Sequence, residues 1–231
     1  MKILHEDRDI IVCEKPAGVA SQNERGWGAD MVSLLLAYEK EKGASNPYIG
    51  VVHRLDKVVG GVMVYAKNKT SAAVLSRQIA EHQVKKKYYA VVCGRPEKSE
   101  GTWEDYLLRD GRNNVSKVVP KGTKDSKKAI LTYRVLESIV KENLSGQEEW
   151  YTLVEVELLT GRHHQIRVQF ASRNLPLAGD RKYNPNLSTV MGRKGLLLYS
   201  YYLEFNHPSE KKKVAFQSIP SQAEFQEFSC L

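Results

Sequence analysis

The sequence predicts a mixed α+β protein whose β-sheet is largely antiparallel and is flanked by helices and loops. Three observations favour this class. Short apolar or alternating segments recur along the chain, few segments have the apolar spacing of an amphipathic helix, and strands and helices do not alternate as in a parallel sheet. The 231 residues, of which 42% are hydrophobic, allow one large domain or two lobes that share a sheet. We expect a single domain over residues 1–231.

The first half of the chain predicts four strands and two helices. Each helix has a suitable cap, Asp30 for the first and Asn68 for the second, because these side chains accept hydrogen bonds from the free N–H groups of a first turn. The glycine pair Gly60-Gly61 predicts a break. The elements are strands at Ile3–His5 and Ile10–Glu14, a helix from Met31 that ends at Gly43, strands at Tyr48–Val52 and Val62–Ala66, and a helix over Thr70–Gln83.

The second half predicts mainly strands. Two interleaved apolar series around Tyr88 are typical of a strand that is buried on both faces. Residues 110–128, rich in Lys, Asn, Gly and Ser, predict an exposed basic loop. The elements are strands at Tyr88–Cys93, Tyr106–Arg109, Ala129–Glu137 and Tyr151–Leu159, a helix over Arg162–Ser172, strands at Gly195–Phe205 and Lys213–Gln217, and a short final helix capped by Ser221.

Charge and composition limit the classes of function. The net charge of +8 and the isoelectric point of about 9.2 favour a polyanionic partner, and nucleic acid is the commonest one inside cells. Cys13, Cys93 and Cys230 form no CxxC pair, so neither a zinc ribbon nor a disulfide framework is predicted. No stretch approaches roughly 18 apolar residues, and the first ten residues are too acidic for a signal peptide. We therefore expect a cytoplasmic protein without membrane contact.

The segment HRLDKVVGGVMVYAK, residues 53–67, places charged side chains directly ahead of an apolar strand. An Asp in a loop is most often a solvated surface charge, and Asp56 could be one. Two features favour a chemical role. The motif lies between two predicted strands, where loops held by rigid elements often carry function, and Arg54 and Lys57 supply positive charge beside the carboxylate.

A second charged segment, LLTGRHHQIRVQFA at residues 158–171, follows a predicted buried strand. Its adjacent histidines, His163 and His164, suggest a metal site, but neighbouring helix residues point about a hundred degrees apart and metal-binding pairs prefer i, i+4 spacing. We therefore predict no metal here. Arg167 is suited to a bidentate bond with a carboxylate, and the alternatives for Arg162 and Arg167 are phosphate contact or surface charge.

Tyr88 follows three consecutive lysines at the start of a predicted strand. A tyrosine in a strand is most often a core residue, and that is one interpretation. In the other, the ring stacks on an unpaired base while Lys85–Lys87 meet phosphates, because aromatic side chains with basic neighbours hold unstacked bases. Both interpretations stay open at this point.

Together these segments resemble the RluA-type family of pseudouridine synthases. HRLD, a short variable step, Gly61, an apolar strand and Ala-Lys resemble the family signature, and KKKYYAVVCG resembles its K-x-Y-x-A-x-V-x-G strand with the tyrosine at Tyr88. TGRHHQIRVQF resembles its T-G-R-x-H-Q-[IL]-R-V-H segment. ILHEDRDIIVCEKPAGV, LPLAGDRKY and LEFNHP resemble further family segments, so the resemblance covers nearly the whole chain.

The resemblance implies an RNA pseudouridine synthase, an isomerase that converts uridine to pseudouridine in ribosomal or transfer RNA, with the family fold around a central cleft. Asp56 would be the catalytic aspartate, Tyr88 the tyrosine that contacts the target base, and Arg167 the arginine that pairs with the aspartate. Arg54 would fill the space left by a flipped nucleotide. Further RNA contacts are predicted for Lys57, Lys86, Arg162 and His164.

No cofactor is predicted, because the implied reaction needs none and the sequence has no P-loop, no GxGxxG and no cluster of metal ligands. The catalytic pattern begins at residue 2 or 3, so we expect no N-terminal S4-type RNA-binding domain and expect the catalytic domain itself to hold the RNA. We also expect a monomer with no obligatory protein partner.

The sequence departs from the family pattern at three places, none of which removes a predicted catalytic group. Val59-Gly60 stand where the family has Thr-Ser, and Gln169 and Ser200 stand where a His is common. Two alternative functions stay open. One is a non-catalytic RNA-binding or RNA-chaperone protein with the synthase fold, and the other is an unrelated hydrolase in which the Asp and His of HRLD form a dyad.

Overall fold

Eleven strands and three helices make up most of residues 1–22, 28–143, 145–184 and 191–231, which are the residues that the computed structural model describes. They form two compact units, the first of Met1–Lys86 with Ser200–Ser218 and the second of Lys87–Tyr199 with Ile219–Leu231. The strand pairs in both units are antiparallel. This confirms the predicted mixed, largely antiparallel sheet, while the single domain over residues 1–231 stays a prediction.

The first unit contains six strands and two helices: β1 (Lys2–Glu6), β2 (Ile10–Lys15), α1 (Met31–Glu41), β3 (Gly50–Val51), β4 (Gly60–Ala66), α2 (Lys69–Ala80), β10 (Leu198–Asn206, in this unit from Ser200) and β11 (Lys213–Gln217). The strand order is β1-β2-β4-β10, and β3 pairs with β4 and β11 with β10. Both helices begin at the predicted caps. Asp30 accepts a hydrogen bond from the Ser33 N–H, and Asn68 accepts one from the Ser71 N–H.

Strands β2 and β4 form the centre of the first unit because both of their faces are apolar. They pair from Ile10 opposite Ala66 to Lys15 opposite Gly61, and every residue of β4 is buried. Leu75 of α2 packs into the apolar cluster on one face. Burial of this surface, at roughly 25 cal/mol per Å², stabilises the strand pair and gives the loop between β3 and β4 a fixed base.

The second unit contains five strands, one helix and a final 3₁₀ turn: β5 (Lys85–Cys93, in this unit from Lys87), β6 (Glu100–Asp110), β7 (Val115–Val119), β8 (Lys127–Glu142), β9 (Glu148–Leu158), α3 (Gln165–Ala171) and the turn Ala223–Glu227. The strand order is β5-β9-β8-β6-β7. Val168 of α3 packs against Leu107 and Ala129, and the ring of Phe170 meets that of Trp103 edge-on, with centroids 4.6 Å apart. These contacts fix α3 on one face of the sheet.

The predicted break at Gly60-Gly61 is wrong, because both glycines lie in β4. Gly61 has a φ of +126°, and a Cβ at this position would lie 2.1 Å from the carbonyl oxygen of Ser200. Glycine is therefore needed where the two backbones approach closely. Ser200 also donates from Oγ to the Val62 carbonyl at 3.3 Å, so β4 and β10 are tied together just after the loop that carries Asp56.

Residues 110–128 are not one exposed loop, because they include β7 and the start of β8. The three valines of β7 lie in a short strand. The strand was not predicted because the surrounding Lys, Asn and Gly residues give the segment the composition of a loop. β7 pairs with β6 from Tyr106 opposite Val119 to Asp110 opposite Val115. This pairing supplies the backbone hydrogen bonds of β7, and the local sequence does not predict it.

The helix predicted over Arg162–Ser172 is shorter than expected, because His164 has a φ of +54°, which an α-helix excludes. The strand predicted over Tyr48–Val52 is reduced to β3, and Gln222, not Ser221, precedes the final 3₁₀ turn. Across the described ranges, no helix is long and apolar enough to cross a membrane.

Candidate active site

The HRLD segment leads from β3 into β4, and Asp56 lies in the turn between these strands. A hydrogen bond from the Val59 N–H to the Asp56 carbonyl oxygen closes the turn at 3.0 Å. Leu55 is buried, and the Ser21 hydroxyl accepts from its N–H at 3.0 Å and donates to its carbonyl at 2.9 Å. The backbone on both sides of Asp56 is therefore fixed, while Asp56 itself is only half-buried.

A buried lysine, Lys15, holds the other side of this turn. Its Nζ donates to the carbonyl oxygens of Pro16, Val19 and Lys57 at 3.1, 2.6 and 3.2 Å, and the residue is 1% exposed. Burial lowers the pKa of Lys15 to about 8, and the attraction of Asp56 partly opposes this shift. The residue after Asp56 is thus tied to the turn that follows β2, and a buried positive charge attracts the carboxylate.

We expect Lys15→Met to change how stability depends on pH. In the folded protein the pKa of Lys15 is about 8, below the ordinary value of 10.5. Between these values the unfolded chain binds more protons, so this group makes the wild type more stable as the pH rises through the window, and the Met variant lacks that gain. The wild-type free energy of unfolding, measured in urea relative to the variant's, should rise by about 2 kcal/mol from about pH 7 to about pH 10. An unchanged difference would mean that the Lys15 ammonium is hydrated.

His53 stabilises the loop and is unsuited to act as a base. Its Nε2 accepts a hydrogen bond from the Val64 N–H at 3.1 Å, which requires a neutral ring with the proton on Nδ1. Desolvation, together with the positive charge of Lys86, lowers the pKa of His53 to about 3. This geometry argues against the alternative hydrolase, in which His53 would be the base beside Asp56.

Three lysine and arginine residues predicted to contact RNA belong to the first unit. Arg54 and Lys57 are exposed on the loop that carries Asp56, where cationic side chains can meet phosphates. Lys86 is half-buried, and desolvation lowers the pKa of its ammonium group. The RNA contacts of these three residues stay predictions.

Arg167 of α3 forms a bidentate ion pair with Asp180. Nε donates to Oδ2 at 2.8 Å and Nη2 to Oδ1 at 2.7 Å, and the two side chains are 5% and 0% exposed. Oδ1 also accepts from the N–H groups of Lys182 and Tyr183, at 2.9 and 3.2 Å. Arg167 is therefore held by a carboxylate that the sequence did not single out, and its predicted pairing with Asp56 stays a prediction.

The residues ahead of α3 are arranged by hydrogen bonds and ring contacts. Arg162 donates from Nε to the Lys128 carbonyl at 2.8 Å. His164 is buried, its Nδ1 lies 2.8 Å from the Tyr183 hydroxyl, and its ring stacks on that of His163 at 3.8 Å. In the part of the chain that the structure describes, no three His, Cys, Asp or Glu side chains come together as a metal site. The RNA contacts of Arg162 and His164 stay predictions.

Tyr88 lies in β5 opposite Val156 of β9 and is 6% exposed. Its neighbour Tyr89 pairs with Glu155 and is half-buried. The contact of Tyr88 with a target base stays a prediction.

A family model described as RNA pseudouridylate synthase matches residues 9–172. The chain belongs to this family. Ribosomal large subunit pseudouridine synthase D of Nitrosomonas europaea is 33% identical over 225 residues, which cover 94% of this chain and 61% of that protein. tRNA pseudouridine synthase C of Haemophilus ducreyi is 30% identical over 230 residues, which cover 96% of this chain and 92% of that protein. The solved structure of human RNA pseudouridylate synthase domain containing 4 has the same fold, with a TM-score of 0.76 and 23% identity. The match covers 98% of this chain and 92% of the human chain.

Membership of the RNA pseudouridylate synthase family confirms what the HRLD and TGRHHQIR segments predicted, and synthases of this family are isomerases. The matched range includes the three predicted catalytic residues, Asp56, Tyr88 and Arg167. Sequence reasoning missed the partners that hold two of the motifs in place, namely Lys15 and Asp180. Both lie in segments that resemble the family, but their roles depend on contacts 42 and 13 positions away along the chain.

Proposed function

We propose that this protein is an RNA pseudouridine synthase that isomerises uridine to pseudouridine in ribosomal or transfer RNA, with Asp56 as the catalytic carboxylate. The observation that carries the proposal is the family match over residues 9–172, which contains the HRLD motif. The two classes of RNA come from the relatives, one named a ribosomal large subunit synthase and the other a tRNA synthase. A cytoplasmic location and a monomeric state remain part of the proposal.

The proposed reaction needs a carboxylate in a fixed position and no cofactor. The N1–C1′ bond of uridine breaks, the uracil turns, and a C5–C1′ bond forms while the C5 proton leaves and N1 regains a proton. Asp56 would attack the sugar, attack the ring or remove a sugar proton. The turn around Asp56, closed by Val59 and held by Ser21 and Lys15, supports each of these roles because catalysis depends on prior orientation of the reacting group.

The other predicted residues would act on the substrate rather than on the bond. The target base must leave the stack before it can react, as in other enzymes that modify bases. Arg54, exposed beside Asp56, is suited to fill the vacated space because its side chain is long and planar. Tyr88 would contact the flipped base, and Arg167 would act as the counter-ion of the catalytic carboxylate.

Release of tritium from RNA labelled at C5 of uridine tests the proposal directly, since formation of the C5–C1′ bond displaces the C5 hydrogen. The purified protein should release tritium from in vitro transcripts of ribosomal or transfer RNA. Mapping of pseudouridine in RNA from cells that lack the protein should then identify the position. Binding of both RNA classes without any release would favour the non-catalytic RNA-binding alternative.

A further inference from the structure

Residues 109–128, here called the basic hairpin, carry a large share of the positive charge of the chain. They run from the end of β6 through β7 to the start of β8. Seven Lys and Arg residues against two Asp leave this segment with a charge of +5, compared with +8 for the whole protein. All seven cationic residues are exposed. The segment therefore presents seven positive charges to the solvent within twenty residues.

Acidic neighbours neutralise few of these charges. Lys128 pairs with Glu104 at 2.9 Å, with both side chains about half exposed. Asp110 uses its carboxylate on the N–H of Arg112 and on Asn113. Among the described residues, the side chains of Arg112, Lys121, Lys124 and Lys127 form no ion pair with a carboxylate. Such a group of like charges repels itself, and a polyanion would relieve that repulsion.

The basic hairpin is held in place by hydrogen bonds to the residues around α3. Ser116 donates from Oγ to the His163 carbonyl at 2.9 Å, and its N–H donates to the Tyr183 hydroxyl at 2.6 Å. Asn114 Oδ1 lies 3.0 Å from His163 Nε2, and the Asn114 carbonyl accepts from Lys182 Nζ at 2.6 Å. A surface ordered before binding presents its charges at a lower entropic cost than a mobile loop would.

The composition of the basic hairpin favours one form of RNA. Residues 109–128 contain no aromatic side chain. Surfaces for unpaired RNA combine cations with aromatic rings on which bases stack, whereas the backbone of a double helix is held mainly through phosphates and 2′-hydroxyls. Exposed cations without rings therefore match the phosphates of a helical stem.

We propose that the basic hairpin is a phosphate-binding surface for double-helical RNA. The inference rests on the proposed function, because it takes RNA as the substrate, and it adds which part of that RNA the basic hairpin holds, namely a helical stem. The surface supplies affinity and orientation, and it takes no part in the bond changes at the uridine.

A four-site variant tests the surface: Arg112→Gln, Lys121→Gln, Lys124→Gln and Lys127→Gln. Its affinity for a transcribed stem-loop RNA is measured over a range of salt concentrations. Each lost phosphate contact reduces the slope of log affinity against log salt by about 0.7–0.9, so the slope should become shallower by about 3. The rate of tritium release at saturating RNA should equal that of the wild type, and circular dichroism should show the same fold.

A control removes the same charge from the first unit, where Lys40, Lys69, Arg77 and Lys211 are exposed. Their replacement by Gln should change the slope by less than about 1. An unchanged slope in the hairpin variant, an equal loss in the control, or an equal loss on single-stranded poly(U) would each overturn the inference. The proposed function has a separate test, because it fails only when the wild type releases no tritium, whatever the salt slopes are.

Discussion

Asn in place of Asp56 is expected to reduce the rate of tritium release at least about 10³-fold while RNA affinity stays near that of the wild type. The amide has the size of the carboxylate but carries no charge, so it can neither attack the substrate nor take a proton. The turn should survive, because its closing hydrogen bond runs from the Val59 N–H to a backbone carbonyl. Lys15 loses the attraction of a nearby negative charge, and the free energy of unfolding should change by about 1 kcal/mol or less.

The matched control is Asp125→Asn, which removes an exposed carboxylate from the basic hairpin. Asp125 has a φ of +61°, a conformation that Asn tolerates well. This variant should keep the full rate of tritium release and bind RNA at least as tightly as the wild type. Normal turnover by Asp56→Asn, with an RNA affinity equal to that of the wild type, would exclude Asp56 as the catalytic carboxylate.

The parts of the fold that depend on local signals could be predicted from the sequence. Asp30 and Asn68 cap the helices they were expected to cap, because each side chain meets an N–H three residues ahead in the chain. The start of α3 could not be predicted in this way. Its position depends on the left-handed backbone of His164 and on the side chain of Gln165, which bonds Thr160 and the Arg162 N–H.

In the candidate site, too, local features could be predicted from the sequence and long-range contacts could not. The HRLD motif marked Asp56 because the chemistry and the turn occupy one short segment. The buried ammonium of Lys15 could not be foreseen, because its hydrogen bond to the Lys57 carbonyl joins residues 42 positions apart. β7 could not be predicted for a related reason. Its pairing with β6 determines the conformation of a segment whose composition is typical of a loop.

Asp180→Ala is expected to lower the free energy of unfolding by about 3–5 kcal/mol, because it leaves the guanidinium of Arg167 buried without this counter-ion. The substitution removes both bonds of the bidentate pair and two acceptor contacts to backbone N–H groups. Urea unfolding of the wild type and the variant measures the loss through the midpoint, with the slope unchanged if the denatured state is the same.

Glu104→Ala is the control, because the Lys128–Glu104 pair lies at the surface of the same unit. Removal of an exposed pair should leave the urea midpoint nearly unchanged, and an equally small shift in Asp180→Ala would show that the buried pair adds nothing.

Asp180→Ala also distinguishes two possible roles of Arg167. If Arg167 serves only the fold, tritium release per folded molecule should stay normal once the variant is stabilised by low temperature. If it is the counter-ion of the catalytic carboxylate, the rate should fall along with stability, because a guanidinium freed from Asp180 loses its fixed orientation. The rate of tritium release by Arg167→Lys should then fall in the same way, since an ammonium keeps the charge but cannot form the bidentate bond.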